Sequence, residues 1–141
     1  MNTLIDNVIY SESIPIIDDY FTLFQTTGWN IEYGFSKNEL AEALKNSWYS
    51  VSIYHSDNLI GFGRVIADGI HHALIVDLII HPDFQRKGLG SNLLDMLVKK
   101  CKEHNIRDIQ LFSAKDKFVF YENHGFIKRT ENAPGMELKM K

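Results

Sequence analysis

A single cysteine, Cys101, leaves the chain without a partner for an internal disulfide, so its fold cannot rest on crosslinks. No apolar run reaches the roughly 18 residues that a bilayer span needs, and the first residues lack the cationic and apolar pattern of a secretory signal. The expectation is a soluble, cytoplasmic protein with no membrane partner. An excess of positive charge is missing too: 15 Lys and Arg stand against 18 Asp and Glu, a formal net charge of −3. Nucleic acid usually demands a basic face, so no such partner is expected. Metal-ligand spacing is also lacking. The histidines at 55, 71, 72, 81, 104 and 124 are scattered, and only His71-His72 are neighbours, without the i,i+4 spacing of a helical pair. The reading therefore contains no metal.

What is there suffices for a core. The chain has 141 residues, 45% of them hydrophobic, and a single domain over residues 1–141 is expected. Pro15 can open a helix, with Ile16, Ile17, Tyr20, Phe21 and Phe24 at helical spacing until Gly28. Ser36-Lys37-Asn38-Glu39 has the form of a capping box before a second helix. Three alternating or apolar segments at 48–55, 59–67 and 73–80 are separated by "SDN" and "DG" turns, which predicts an antiparallel meander. The third is apolar on both faces except for Asp77, which suggests a covered, central strand.

Leu93, Leu94, Leu97, Val98 and Cys101 then form one helical stripe, and "DIQLF" (108–112) reads as a buried strand. Strand, helix, strand over 73–112 is a crossover with parallel strands. A short helix at 118–125, a strand from Phe126 and a last strand at 135–140 complete the expectation. The fold class is thus a mixed α/β sheet, an antiparallel meander joined to one parallel β-α-β crossover. Cys101 could suggest an acyl-enzyme with His104 one turn on, but its place on the buried stripe favours core packing.

"QRKGLG" (85–90) sits where the central strand hands over to the helix. Unpaired N–H groups and the helix dipole make such a loop an anion site, glycines let phosphate approach the backbone, and Arg86 and Lys87 add charge. A plain strand-to-helix turn with solvated cations is the alternative. Two familiar phosphate loops do not fit. A P-loop needs Lys-Ser/Thr after its last glycine, where this chain has Ser91-Asn92, and the dinucleotide fingerprint needs a third glycine where it has Leu93.

"HPDFQRKGLG" closely resembles the acyl-CoA loop, Q/R-x-x-G-x-G/A, of the GNAT superfamily of acyl-CoA-dependent N-acyltransferases, and "FYENHGF" (120–126) resembles its second characteristic segment. The expected order of elements is also that family's. The resemblance implies an N-acetyltransferase that moves an acetyl group from acetyl-CoA, its co-substrate, to a primary amine by direct attack in a ternary complex. It implies that Leu78, Ile79 and Ile80 pair with the pantetheine arm through a gap between splayed strands. Arg86, Lys87, Gly88, Leu89, Gly90 and Ser91 would supply the pyrophosphate contacts. Tyr121 matches the tyrosine that protonates the departing thiolate; by spacing alone it reads as a core aromatic.

The chemistry needs one thing more. At pH 7 a primary amine is neutral only about once in 10³ molecules, so a base or a water chain must take its proton. Asp77 is the candidate by position, with a structural ion pair to Arg64 as the alternative. Trp29, Tyr33 and Phe35 could wall an acceptor pocket or simply anchor a loop. A non-catalytic acyl-CoA-binding module is the second functional reading, and a homodimer is compatible with both.

Overall fold

A computed structural model describes residues 6–140. Alternation of apolar and polar residues builds its sheet. Strands β1 (Val8–Ser11), β2 (Tyr49–His55), β3 (Asn58–Ala67), β4 (His72–Ile80) and β5 (Asp108–Leu111) lie side by side in that order. The first three pairings are antiparallel and β4 with β5 is parallel, which is the expected mixed sheet. Helices α1 (Ile17–Gln25), α2 (Asn30–Tyr33) and α3 (Lys37–Lys45) come before β2, α4 (Leu89–Glu103) joins β4 to β5, and α5 (Phe118–Glu122) follows.

The helices divide between the two faces. α4 lays Leu89, Leu93, Leu94, Leu97 and Cys101 against Val51, Ile53, Val65 and Ile75 of the sheet. Cys101 is fully buried in that stripe, so it packs rather than reacts. β3 lets α4 come close because of Gly63, where a Cβ would stand 2.9 Å from Leu97 Cδ1. On the other face α1 and α3 bury Tyr20, Leu23, Leu40 and Leu44 against Phe62 and Ile79. α3 begins where the sequence places it: Ser36 Oγ accepts from the Glu39 amide at 3.2 Å, and Glu39 Oε1 accepts from the Ser36 amide at 3.0 Å.

Three expectations need correction. β1 is an additional strand, pairing with β2 from Val8↔His55 to Ser11↔Ser52. Four residues are too few for a periodic signal, and the pairing with β2 makes the strand. The strands expected from Phe126 and over 135–140 do not form: residues 126–140 are irregular, with Ile127, Met136, Leu138 and Met140 each more than 80% exposed. Alternation there has no core face to bury, and Pro134 with Arg129, whose Nε donates to the Ala133 carbonyl at 2.6 Å, favours a turn. The first helix starts at Ile17, with Ile16 as an exposed cap.

Candidate active site

β4 breaks its own register. Arg64 on β3 faces Val76, but Phe62 faces Ile79, so Asp77 and Leu78 together oppose Gly63 in a β-bulge. Asp77 takes the strained left-handed φ of 54° that makes room for the extra residue. The bulge reverses the alternation: Ala73 and Ile75 point to the α4 side before it, Leu78 and Ile80 after it, while Ile79 joins the opposite core.

The other edge of β4 loses its neighbour at the same place. Pairing with β5 runs from His72↔Asp108 to Ile75↔Leu111 and stops there. From Val76 to Ile80 the backbone groups on that side therefore face a gap instead of a strand. Unpaired strand edges are templates for another extended chain.

Directly beyond lies the start of α4. Gln85 Nε2 donates to the Ile80 carbonyl at 3.0 Å and folds the loop back on the strand. Arg86 and Gly88 both adopt positive φ, 63° and 83°, and Gly88 is the N-cap. Among the described residues no side chain caps this helix, and no acidic residue occupies its first turn, in contrast to α3. Its first amides and the dipole are thus left to an external anion. Asn92 N–H donates to the Gly88 carbonyl at 3.2 Å, which closes the first helical turn behind them.

These pieces meet in one cleft of about 590 Å³ lined by Leu78, Ile79, Ile80, Arg86, Gly88, Gly90, Ser91 and Tyr121. Among the described residues Arg86 and Lys117 are its charged ones, and none of its lining residues is a carboxylate. Three of the sequence-predicted residues, Asp77, Lys87 and Leu89, stand apart. Leu89 is buried in the core, and neither it nor Lys87 is part of the cleft wall. At Gly90 an added Cβ would lie 3.6 Å from Phe120, so the wall is narrow there without being closed.

α5 carries Tyr121 to the end of the cleft. Its ring meets Phe120 and Phe126 edge-on, at 5.1 and 6.2 Å between centroids. Burial raises its phenol pKa, so the hydroxyl keeps its proton across the neutral range. The loop after α5 is braced to α4: Ser91 Oγ and His124 Nε2 are 3.1 Å apart, and His124 Nδ1 lies 3.3 Å from Asp95 Oδ1.

Asp77 faces away from this cleft. Arg64 Nε donates to its Oδ2 at 2.7 Å, and Arg64 Nη1 donates to the Ala43 carbonyl at 3.1 Å, so the pair ties β3 and β4 to the end of α3. The structure thus contains the ion pair that was the alternative to a free base. Asp77 also forms the floor of a second cleft, of about 650 Å³, with Phe24, Trp29, Tyr33, Phe35 and Glu32. Trp29 lines both clefts. Phe24 meets Trp29 edge-on at 6.0 Å, and Tyr33 stacks on Phe35 at 5.3 Å.

Sequence reasoning missed Thr26, Thr27, Gln85, Lys117 and Phe120 in the first cleft. Gln85 and Phe120 were inside the quoted motifs. The threonines and Lys117 belong to no motif, and only the fold brings them near.

The comparisons with known proteins point to one family and one fold. The family model described as "Acetyltransferase (GNAT) domain" matches residues 29–136. An uncharacterized N-acetyltransferase, ycf52, of Gracilaria tenuistipitata var. liui is 31% identical over 138 residues, covering 95% of this chain and 74% of its own. A GNAT-family acetyltransferase of Streptococcus pneumoniae superposes with a TM-score of 0.79 at 26% identity, over 95% of this chain and 98% of the other. A probable acetyltransferase of Staphylococcus aureus does so at 0.78 and 27%, over 94% and 99%. The chain belongs to the GNAT acetyltransferase family.

Proposed function

We propose that this GNAT acetyltransferase binds acetyl-CoA in the cleft between β4 and α4 and passes the acetyl group to a primary amine by direct attack, in one ternary complex. The observation that carries the reading is the union, in a cleft with no carboxylate among its described residues, of an unpaired strand edge with an uncapped helix N-terminus. An extended amide-bearing arm suits the first, and a diphosphate suits the second. Bound acetyl-CoA supplies the thioester on which the amine acts.

The chain's own residues do the rest. Backbone groups of Leu78, Ile79 and Ile80 hold the arm, and those of Gly88 to Ser91, with the Arg86 side chain, hold the phosphates. Tyr121, protonated through the neutral range, gives its proton to the leaving sulfur. The amine enters past Trp29 from the aromatic cleft, where Glu32 and Asp77 supply negative charge and the rings supply faces that favour a cation. Asp77, through the carboxylate oxygen that Arg64 Nε does not hold, receives the amine's proton or passes it to water. Most of the acceleration comes from juxtaposition of amine and thioester.

The test is thiol release from acetyl-CoA against a panel of mono-, di- and polyamines and lysine peptides, alongside calorimetric titration of acetyl-CoA. Saturable binding with amine-dependent thiol release is expected. Binding without turnover on any amine would favour the non-catalytic module, and absence of binding would remove the cleft from consideration.

A further inference from the structure

On the far end of the same strand pair, three side chains converge that the acetyl-transfer site does not use. His71 and His72 end the β3–β4 turn, and Asp108 begins β5, opposite His72 in the parallel register. Their rings and carboxylate each offer one ligand atom, and these atoms lie within 4.8 Å of one another. The two imidazoles sit 3.7 Å apart between centroids, and His72 Nδ1 is 2.6 Å from Asp108 Oδ2. We infer that His71, His72 and Asp108 form a surface site for one divalent first-row transition metal ion of the zinc type, completed by water.

The donor set chooses the metal class. Two imidazoles and a carboxylate suit zinc, nickel, cobalt or copper, whereas magnesium and calcium take oxygen ligands. Zinc–ligand bonds of about 2.0–2.2 Å put tetrahedral ligands about 3.4 Å apart. Exposed histidine rings can close from 4.8 Å by rotamer change, and the close His72–Asp108 contact opens by less than an ångström.

The surroundings hold the backbone of both histidines and the carboxylate of Asp108 in place. Asp68 Oδ1 accepts from the backbone amides of Ile70, His71 and His72 at 2.8, 2.7 and 3.2 Å, which fixes the turn that carries both imidazoles. Gln110 Nε2 donates to Asp108 Oδ1 at 2.8 Å and leaves Oδ2 for the ion. That is the outer hydrogen bond by which a ligating carboxylate is oriented. Among the described residues this is the single group of three such side chains. The sequence spacing that excluded a helical pair could not show it, because His72 and Asp108 are 36 residues apart and meet only through strand pairing.

The consequence is mechanical. β4 and β5 share four paired positions, from His72↔Asp108 to Ile75↔Leu111, before they part at the cleft. A metal at the first position would brace that short ladder.

Calorimetric titration of Zn²⁺ and, separately, Mg²⁺ into the full chain tests the site. One zinc per chain is expected, no heat from magnesium, and at least tenfold weaker zinc binding in His71→Ala, His72→Ala and Asp108→Asn. Zinc should raise the melting temperature of the wild type and not of Asp108→Asn. The His71 side chain makes no hydrogen bond to a described residue, so His71→Ala folds and keeps the test decisive if the others do not. No saturable zinc binding, or wild-type affinity in His71→Ala, would overturn the proposal.

Discussion

The Arg64 guanidinium, 12% exposed, holds Asp77 and is held in turn by α3, so the carboxylate serves the fold as well as any chemistry. Asp77→Asn should lower stability by about 1–3 kcal/mol, because the amide keeps an acceptor and loses the charge. The same change should also slow acetyl transfer. Urea midpoints beside initial rates at full folding separate the roles: lowered stability with an unchanged rate would confine Asp77 to the ion pair. Tyr121→Phe makes the opposite test, since it keeps the ring packing on Phe120 and Phe126 and removes only the hydroxyl. Turnover near neutral pH should fall by roughly 10²-fold or more with acetyl-CoA affinity unchanged. A lowered melting point with full activity would make Tyr121 a packing residue. Tyr121 and Ser91 could be found in the sequence because they sit inside quoted motifs. The bulge at Asp77 could not, because an aspartate at φ 54° has no compositional mark.

α3 and α4 show how element ends divide structure from function. In α3 the side chains of Ser36 and Glu39 satisfy the helix's own amides, and Ser36→Ala should cost about 1 kcal/mol without touching acetyl-CoA affinity. α4 has no such cap, and at its N-cap the φ of 83° requires Gly88. Gly88→Ala should cost about 1–2 kcal/mol of backbone strain and also weaken acetyl-CoA binding, because the first amides turn from their common aim. Chemical denaturation and calorimetry on both variants check the contrast; intact affinity in folded Gly88→Ala would detach this loop from the phosphates. Both helices were legible, one from a capping box and the other from "QRKGLG" with a five-residue apolar stripe. The meander was legible from alternation. β1 was not, since four residues gain their conformation only from β2. The opposite error at 135–140 has the same origin: Met136, Leu138 and Met140 alternate, but alternation makes a strand only where an edge receives it.

Across the molecule, burial raises the pKa of four phenols, Tyr20, Tyr49, Tyr54 and Tyr121, and three of them lie in clearly separate places. Tyr20 lies in the α1–α3 core, Tyr49 against the α4 face and Tyr121 at the cleft. Burial is the leading cause of a raised pKa in each; for Tyr20 the charge of Asp77 adds to it, and Tyr49 is pushed up to about 12 with help from Glu12. In the unfolded chain these phenols ionise near their ordinary value of about 10. Between the two values the native state holds protons that the unfolded state has released, so stability must fall as pH rises. The contribution is complete below about pH 10 and is lost through about pH 12 for Tyr49. Because the three sites span both faces of the sheet, alkali should unfold the chain as a whole rather than fray one edge. Urea midpoints at pH 8, 9, 10 and 11 should hold steady at first and then drop. In Tyr49→Phe, which has no proton to lose there, the drop should be shallower. A flat profile to pH 11 would mean that the phenols ionise alike folded and unfolded, and equal slopes in the two proteins would take Tyr49 out of the alkaline loss.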